Sequence, residues 1–222
     1  MKSTFDNSVN FTSHYKIINQ HIMSLLQRYT PKDCRIVSYD IPDKSAYLLG
    51  KNVIATSDVR TCTAGLVIDS HKKLAELAMH IKNTDYNLNN LSVLTKHMKG
   101  TNAFLAGAKT NFGDVKFEYA KEVMEILKRK LRTLGIKTTR LEGLNGDCGL
   151  DMAYCGKKDT VFLALHKIIP KKEGKFEKEP IPVNNFEDLK KYFRKIRIAQ
   201  GDDFEFNSKA SLQDLIDYYS SL

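Results

Sequence analysis

The chemistry this chain can offer begins with a thiol. Cys62 lies in NVIATSDVRTCTAGLVI (52–68), between two apolar runs and six residues after Thr56. A cysteine becomes a nucleophile when a base or a helix dipole favours its thiolate, and the base is usually a histidine brought close by the fold. Six histidines are available. His14, His21 and His71 sit in polar surroundings, and His97 falls on an expected short helix. His166 is flanked by apolar residues and Lys167 at a strand end. His80 stands apart, because ELAMHI sets an imidazole in an otherwise apolar run. Each residue also has a plainer reading: Cys62 as a small buried hydrophobe, His80 as a half-buried, hydrogen-bonded ring, Thr56 as an ordinary strand residue. No Cys-x-x-Cys spacing or Cys/His cluster suggests zinc, so no metal is expected.

These residues need elements to position them. Apolar positions 17, 18, 22, 25, 26 and 29 predict a helix over 14–29 with Ser13 as its cap. Residues 34–41, 46–49, 52–56 and 63–69 read as strands. KKLAELAMHI (72–81) fits either a helix or a buried strand. A polar, Asn-rich stretch follows over 83–102, with a short helix at 91–98. NAFLAGA (102–108) reads as a buried strand. The clearest element is a helix over 114–134, capped by Asp114 and stopped by Gly135. IKTTRLEG and DMAYCGKKDTVFLAL then read as strands, the latter turning at 156–159. After Pro170, PKKEGKFEKEPIPV reads as an exposed linker. Helices are expected at 186–199 and at 211–219, where Ser211 and Asp214 resemble a capping box. The expected domains are an N-terminal helical extension (1–33), a core (34–169), and a linker with a C-terminal helical appendage (170–222).

Bulk composition narrows the function classes. The chain has 222 residues, enough for one good core with appendages. Its formal net charge of +9 makes nucleic-acid binding the first class to test. No helix-turn-helix signature, aromatic RNP pattern or Gly-rich RNA loop is present, so no specific nucleic acid is expected. A solvated basic face is the plainest reading, with an acidic protein partner or a membrane surface next. No run approaches the ~20 apolar residues of a membrane span, and the first residues lack the apolar core of a secretory signal. Four cysteines without a framework predict reduced thiols in a cytoplasm-like compartment. A Cys148–Cys155 disulfide and export as an effector both stay open.

VIATSDVRTC followed by TAGLVIDS and LAMHI resembles the bacterial chemoreceptor glutamine deamidase family, CheD. In that family a strand ends in threonine, five residues intervene, and the nucleophilic cysteine follows. A Met-Ala-His type segment comes after the next strand. Thr56 and Cys62 match this spacing, and His80 matches it with one residue inserted. The resemblance runs in order over about 45–163, through AFLAGA, the long helix ending in Leu-Gly-Ile, a glycine-rich turn and a closing hairpin. It implies an α/β fold, a layered α/β/β sandwich, with helices added at both ends. It implies a Cys62–His80–Thr56 triad that deamidates a protein glutamine, without metal or organic cofactor. The same triad occurs in cytotoxic necrotizing factor toxins. The family's usual substrate is a chemotaxis receptor, with a regulatory phosphatase as partner.

The chain departs from the family where SDVRT replaces glycines. Asp58 and Arg60 stand there, and with Thr61 they are candidate substrate contacts. LNGDCGLDM also lacks the family's arginine. The substrate surface therefore differs more than the triad does, which leaves room for another protein target, including a host protein. A fold that kept its shape and lost turnover, serving as a protein-binding module, is the alternative. Transglutamination and proteolysis use the same acyl-enzyme and also stay open.

Overall fold

Apolar alternation decides most elements in the computed structural model, which describes residues 13–28, 35–37, 46–51, 53–81, 100–107, 111–112, 115–116, 119–156, 159–172 and 175–207. The described residues are mostly β-sheet with few helices. One mixed sheet contains β1 (His14–Ile18), β2 (Arg35–Val37), β4 (Val53–Val59), β11 (Cys148–Cys155), β12 (Thr160–Pro170), β13 (Phe176–Pro180) and β15 (Asp203–Asn207). Its order is β15-β1-β12-β11-β4-β2, with β13 paired to β12. The other contains β3 (Ala46–Lys51), β5 (Thr63–Asp69), β6 (Leu74–Ile81), β7 (Asn102–Gly107), β10 (Lys137–Leu144) and β14 (Phe193–Arg197), in the order β14-β10-β7-β5-β6-β3. β8 (Asn111–Phe112) and β9 (Val115–Lys116) form a small separate ribbon.

The two large sheets pack face to face. Ile54, Leu150, Met152 and Leu163 of the first meet Ala64, Leu66, Phe104 and Leu141 of the second in one apolar cluster. The outer face of the second sheet carries its own apolar set. Val67, Leu77, Met79 and Leu105 receive Val123, Leu127 and Leu131 of helix α2 (Tyr119–Thr133). β5, β6 and β7 are thus covered on both faces, which accounts for their nearly continuous apolar sequences. This resolves the ambiguity over 72–81: LAELAMHI is a strand, with Ala78 and His80 facing the inter-sheet core and Leu77, Met79 and Ile81 facing α2.

Three expectations need correcting. The helix expected over 14–29 is two elements. HYKII is a strand in which Tyr15 and Ile17 are buried, and α1 (Gln20–Arg28) begins only afterwards. A five-residue strand run directly into a helix imitates one longer helical stripe. The start of α1 is capped by Asn19 Oδ1, which accepts from the His21 N–H at 2.7 Å, rather than by Ser13. The segment after Pro170 is not an exposed linker throughout: FEKEP forms β13, paired antiparallel to the second half of β12. The helix expected over 186–199 is only α3 (Phe186–Lys190), and FRKIR is an edge strand, β14, antiparallel to β10.

The long helix starts at Tyr119, five residues later than expected, and ends before Gly135 as expected. Cys34, His97 and the helices expected at 91–98 and 211–219 lie outside the described residues. No helix among the described residues is long and apolar enough to cross a membrane. Cys148 and Cys155 are buried thiols at opposite ends of β11 and are not joined.

β1 is an interior strand, parallel to β12 on one side and to β15 on the other. Tyr15 stacks on Phe204 with centroids 4.7 Å apart and tilts against Phe104 of the opposite sheet at 5.2 Å. Ile17→Ala should therefore cost about 2–5 kcal/mol, the range for an aliphatic side chain removed from a core. Denaturant unfolding of the variant tests this; a cost under ~1 kcal/mol would place β1 outside the cooperative core.

Candidate active site at the crossing between the sheets

β4 belongs to one sheet and β5 to the other, so the chain crosses between them at residues 60–62. Cys62 sits at the end of that crossing. Two features of the strands prepare it. In β4, Thr56 is opposite Met152 while Val59 is opposite Leu150, so β4 carries one extra residue against Asp151. This is a β-bulge, which bends and over-twists its strand. Asp58 supplies the turn, with φ 61. The left-handed region strains most side chains, and aspartate is among the few that visit it readily. A glycine's backbone conformation is thus kept here by a residue that adds a carboxylate.

The second feature is Gly107, at the end of β7 and opposite Thr63. Its φ is 101, and a Cβ there would lie 2.2 Å from the carbonyl oxygen of Cys62. Only a bare backbone lets β7 support the cysteine from beneath.

Two of the three residues expected to act together meet in the inter-sheet space, and the third, Cys62, precedes the strand that pairs with His80. Thr56 Oγ1 and His80 Nδ1 are 2.7 Å apart, a buried hydrogen bond from one sheet to the other. His80 is completely buried and Thr56 is 4 % exposed. His80 is opposite Ala64 in the β5–β6 ladder. Cys62 lies two residues before Ala64, in the bend that leads into β5. The Cys62 side chain is nearly enclosed, at 6 % exposure.

Asp58 does not face this space. Its carboxylate turns to the outer face of the first sheet, into a network the sequence did not reveal. Asp151 Oδ1 accepts from the Asp58 N–H at 2.7 Å, and Asp151 Oδ2 accepts from Gln20 Nε2 at 2.7 Å. Lys178 Nζ of β13 lies 3.2 Å from Asp151 Oδ2 and 3.4 Å from Asp58 Oδ1. The His166 ring spans the gap, with Nε2 3.1 Å from Asp58 Oδ1 and Nδ1 3.3 Å from Gln20 Oε1. Space for that ring comes from Gly149, where a Cβ would stand 2.3 Å from His166 Nε2. Asp151 and His166 are completely buried. A buried carboxylate needs such partners to offset its lost hydration.

By residue type, Asp58, Asp151 and His166 could hold a cation, since one ligand atom from each lies within 4.8 Å of the others. Lys178 already brings a positive charge against both carboxylates. The only sequence signal for this cluster is an aspartate and a histidine within strands that are otherwise apolar, GLDMAYC and VFLALHKI.

Arg60 donates from Nη2 to Asp58 Oδ2 at 3.0 Å, and its guanidinium lies over the Phe176 ring at 5.2 Å. Thr61 is partly buried in the crossing itself. Burial pushes the Asp58 carboxyl up, but the His166 hydrogen bond and the charges of Lys178 and Arg60 outweigh it. The group is held well below the usual carboxylate range. No protein-family model matches the chain, and no curated protein matches it.

Two outcomes follow from this geometry. Gly107→Ala should destabilise the protein by about 1–3 kcal/mol or more and change the alkylation rate of Cys62; unchanged values in both would remove Gly107 as its support. The pH dependence has a definite sign. Asp58 has a folded-state pKa below its unfolded value of ~3.9, so its stabilisation is complete above that value and is lost as pH falls below it. The melting-temperature gap between wild type and Asp58→Asn should therefore be wide at neutral pH and narrow in acid. Asparagine tolerates the same backbone, which isolates the charge.

Proposed function

We propose that this protein is a protein-glutamine deamidase of the CheD-like cysteine type, with Cys62, His80 and Thr56 as its triad. The observation that carries the reading is the 2.7 Å bond between Thr56 Oγ1 and His80 Nδ1, made across two sheets beside the cysteine that ends the crossing. A hydroxyl accepting from Nδ1–H fixes the ring and leaves Nε2 to take a proton, the orienting task of the third member of any such triad.

The steps are those of acyl transfer. His80 Nε2 takes the Cys62 thiol proton. The thiolate attacks the side-chain carboxamide carbon of a substrate glutamine, giving a tetrahedral oxyanion stabilised by backbone N–H groups at Cys62 and a neighbour. The C–N bond breaks, His80 returns the proton to the departing ammonia, and a thioester remains. Water, deprotonated by His80, attacks the thioester. Cys62 leaves with the proton and the product is glutamate. The chemistry calls on these side chains and water. Arg60 and Thr61, in the crossing, are the residues expected to meet the substrate. Asp58 holds the crossing through the network behind it. A basic enzyme surface suits an acidic protein partner.

A second reading has its own support. Cys62 is 6 % exposed, and Arg60 is held by Asp58 and Phe176 beside it. A closed mouth of this kind fits a protein-binding module that does not turn over.

Alkylation separates the two. With iodoacetamide near neutral pH, an activated Cys62 should label faster than Cys148 or Cys155, and His80→Ala should slow it by roughly 10²–10⁴-fold. Labelling at the same rate in both proteins favours the module. Against candidate protein substrates, Cys62→Ala should abolish ammonia release and the mass shift of glutamine-to-glutamate conversion. Thr56→Val should slow turnover roughly five- to tenfold, the worth of one hydrogen bond. Full activity in Cys62→Ala would overturn the proposal.

A further inference from the structure

On the far side of the second sheet, α2, β10 and β14 gather positive charge in a way the triad does not use. Lys128, Arg129 and Arg132 of α2, with Thr138 and Arg140 of β10, line a groove of about 390 Å³. The β10–β14 register extends it. Arg197 stands directly opposite Arg140, and Lys195 opposite Glu142. Directly opposed residues of an antiparallel pair share a face, and like charges there are destabilising.

One carboxylate lines the groove, Glu125, and a second, Glu142, pairs with two of its cations; both are already engaged. Lys128 Nζ lies 2.5 Å from Glu125 Oε1 and 3.4 Å from Glu142 Oε2, and Arg140 Nε is 3.5 Å from Glu142 Oε1. The Glu125 carboxyl is held below its ordinary range first by its hydrogen bond with Lys128, and further by the charges of Lys195 and Arg140. β14 reaches the same face through its register with β10. Arg129, Arg132 and Arg197 are exposed and have no acid partner among the described residues. The negative end of the α2 dipole accounts for Arg132. It gives no reason for two arginines to face each other across two strands.

We propose that this groove binds the phosphoryl groups of a multiply phosphorylated ligand. Planar guanidinium forks match phosphate oxygens two at a time. A multiply charged anion between Arg140 and Arg197 turns their repulsion into attraction. The volume suits a small ligand or a single headgroup. Among the described residues no aromatic side chain lines the groove, so they offer a base no stacking platform. Phosphate is what the groove can recognise.

The test uses the whole chain and variants at exposed positions, where folding is not at risk. Inorganic tripolyphosphate is titrated by calorimetry at physiological salt. In parallel, the protein is sedimented with phosphatidylcholine vesicles, with and without a bisphosphorylated inositol lipid. Arg129→Gln/Arg197→Gln is compared with a charge-matched control away from the groove, Lys167→Gln/Lys172→Gln, in β12 and just after it. Wild type should bind one of the two probes, and the groove variant should bind it roughly tenfold or more weakly, with the control unchanged. Binding to tripolyphosphate identifies a soluble ligand; binding only to the doped vesicles identifies a headgroup. Binding of neither probe overturns the proposal. Equal weakening in the control does so as well, because it reveals only net charge. A single-stranded RNA that binds this groove where tripolyphosphate does not would also overturn it.

Discussion

One surplus residue in β4 governs the crossing between the two sheets. Asp151 faces two residues of β4 instead of one, and its carboxylate accepts the N–H of the residue that turns the strand. The bend takes the chain out of the first sheet and delivers it to the second. Thr56, before the bulge, keeps its side chain in the inter-sheet space, and Cys62, after it, arrives at the mouth of β5. A one-residue slip in either ladder would turn one of these side chains to the opposite face. The hydrogen bond between Thr56 and His80 records that both registers are right at once.

The anchor for this bend lies behind it. Asp58 adopts a backbone conformation that costs most residues on the order of 1–3 kcal/mol, and the surrounding ion pairs hold it there. Lys178 brings β13 to the same carboxylates, and Gln20 brings α1. Elements distant in sequence thus converge on the turn before the thiol. The front of the crossing carries Cys62 and the proposed triad, and the back carries the charges that fix its shape.

What could be read in the sequence follows from how many faces a strand buries. β5, β7, β11 and β12 are apolar on both sides and stood out by composition. β6 is too, but its length allowed a helix until its two neighbours were seen. β13 and β14 escaped notice for the opposite reason. They are edge strands with exposed, charged side chains, held by backbone hydrogen bonds that leave little periodic trace. HYKII was hidden by the helix that follows it. Within the site, Thr56, Cys62 and His80 drew attention through the resemblance of their spacing to a family pattern, and the fold adds the hydrogen bond between Thr56 and His80. Asp151, His166, Gln20 and Lys178 lie on four separate elements, and only the folded chain shows that they share one carboxylate network.

The place of β1 also bears on how the chain is made. Its ladder with β15 joins His14 to Asp203, so one flank of an interior strand stays open until nearly all of the described chain exists. At about 5–20 residues per second, that is on the order of 10–40 s after β1 is synthesised. During that interval Tyr15 and Ile17 have no sheet to enter on that side. Closure must come late, through contacts of very long sequence separation, the kind that slows folding most. A chain built this way depends on whatever shields β1 while β15 is still being added.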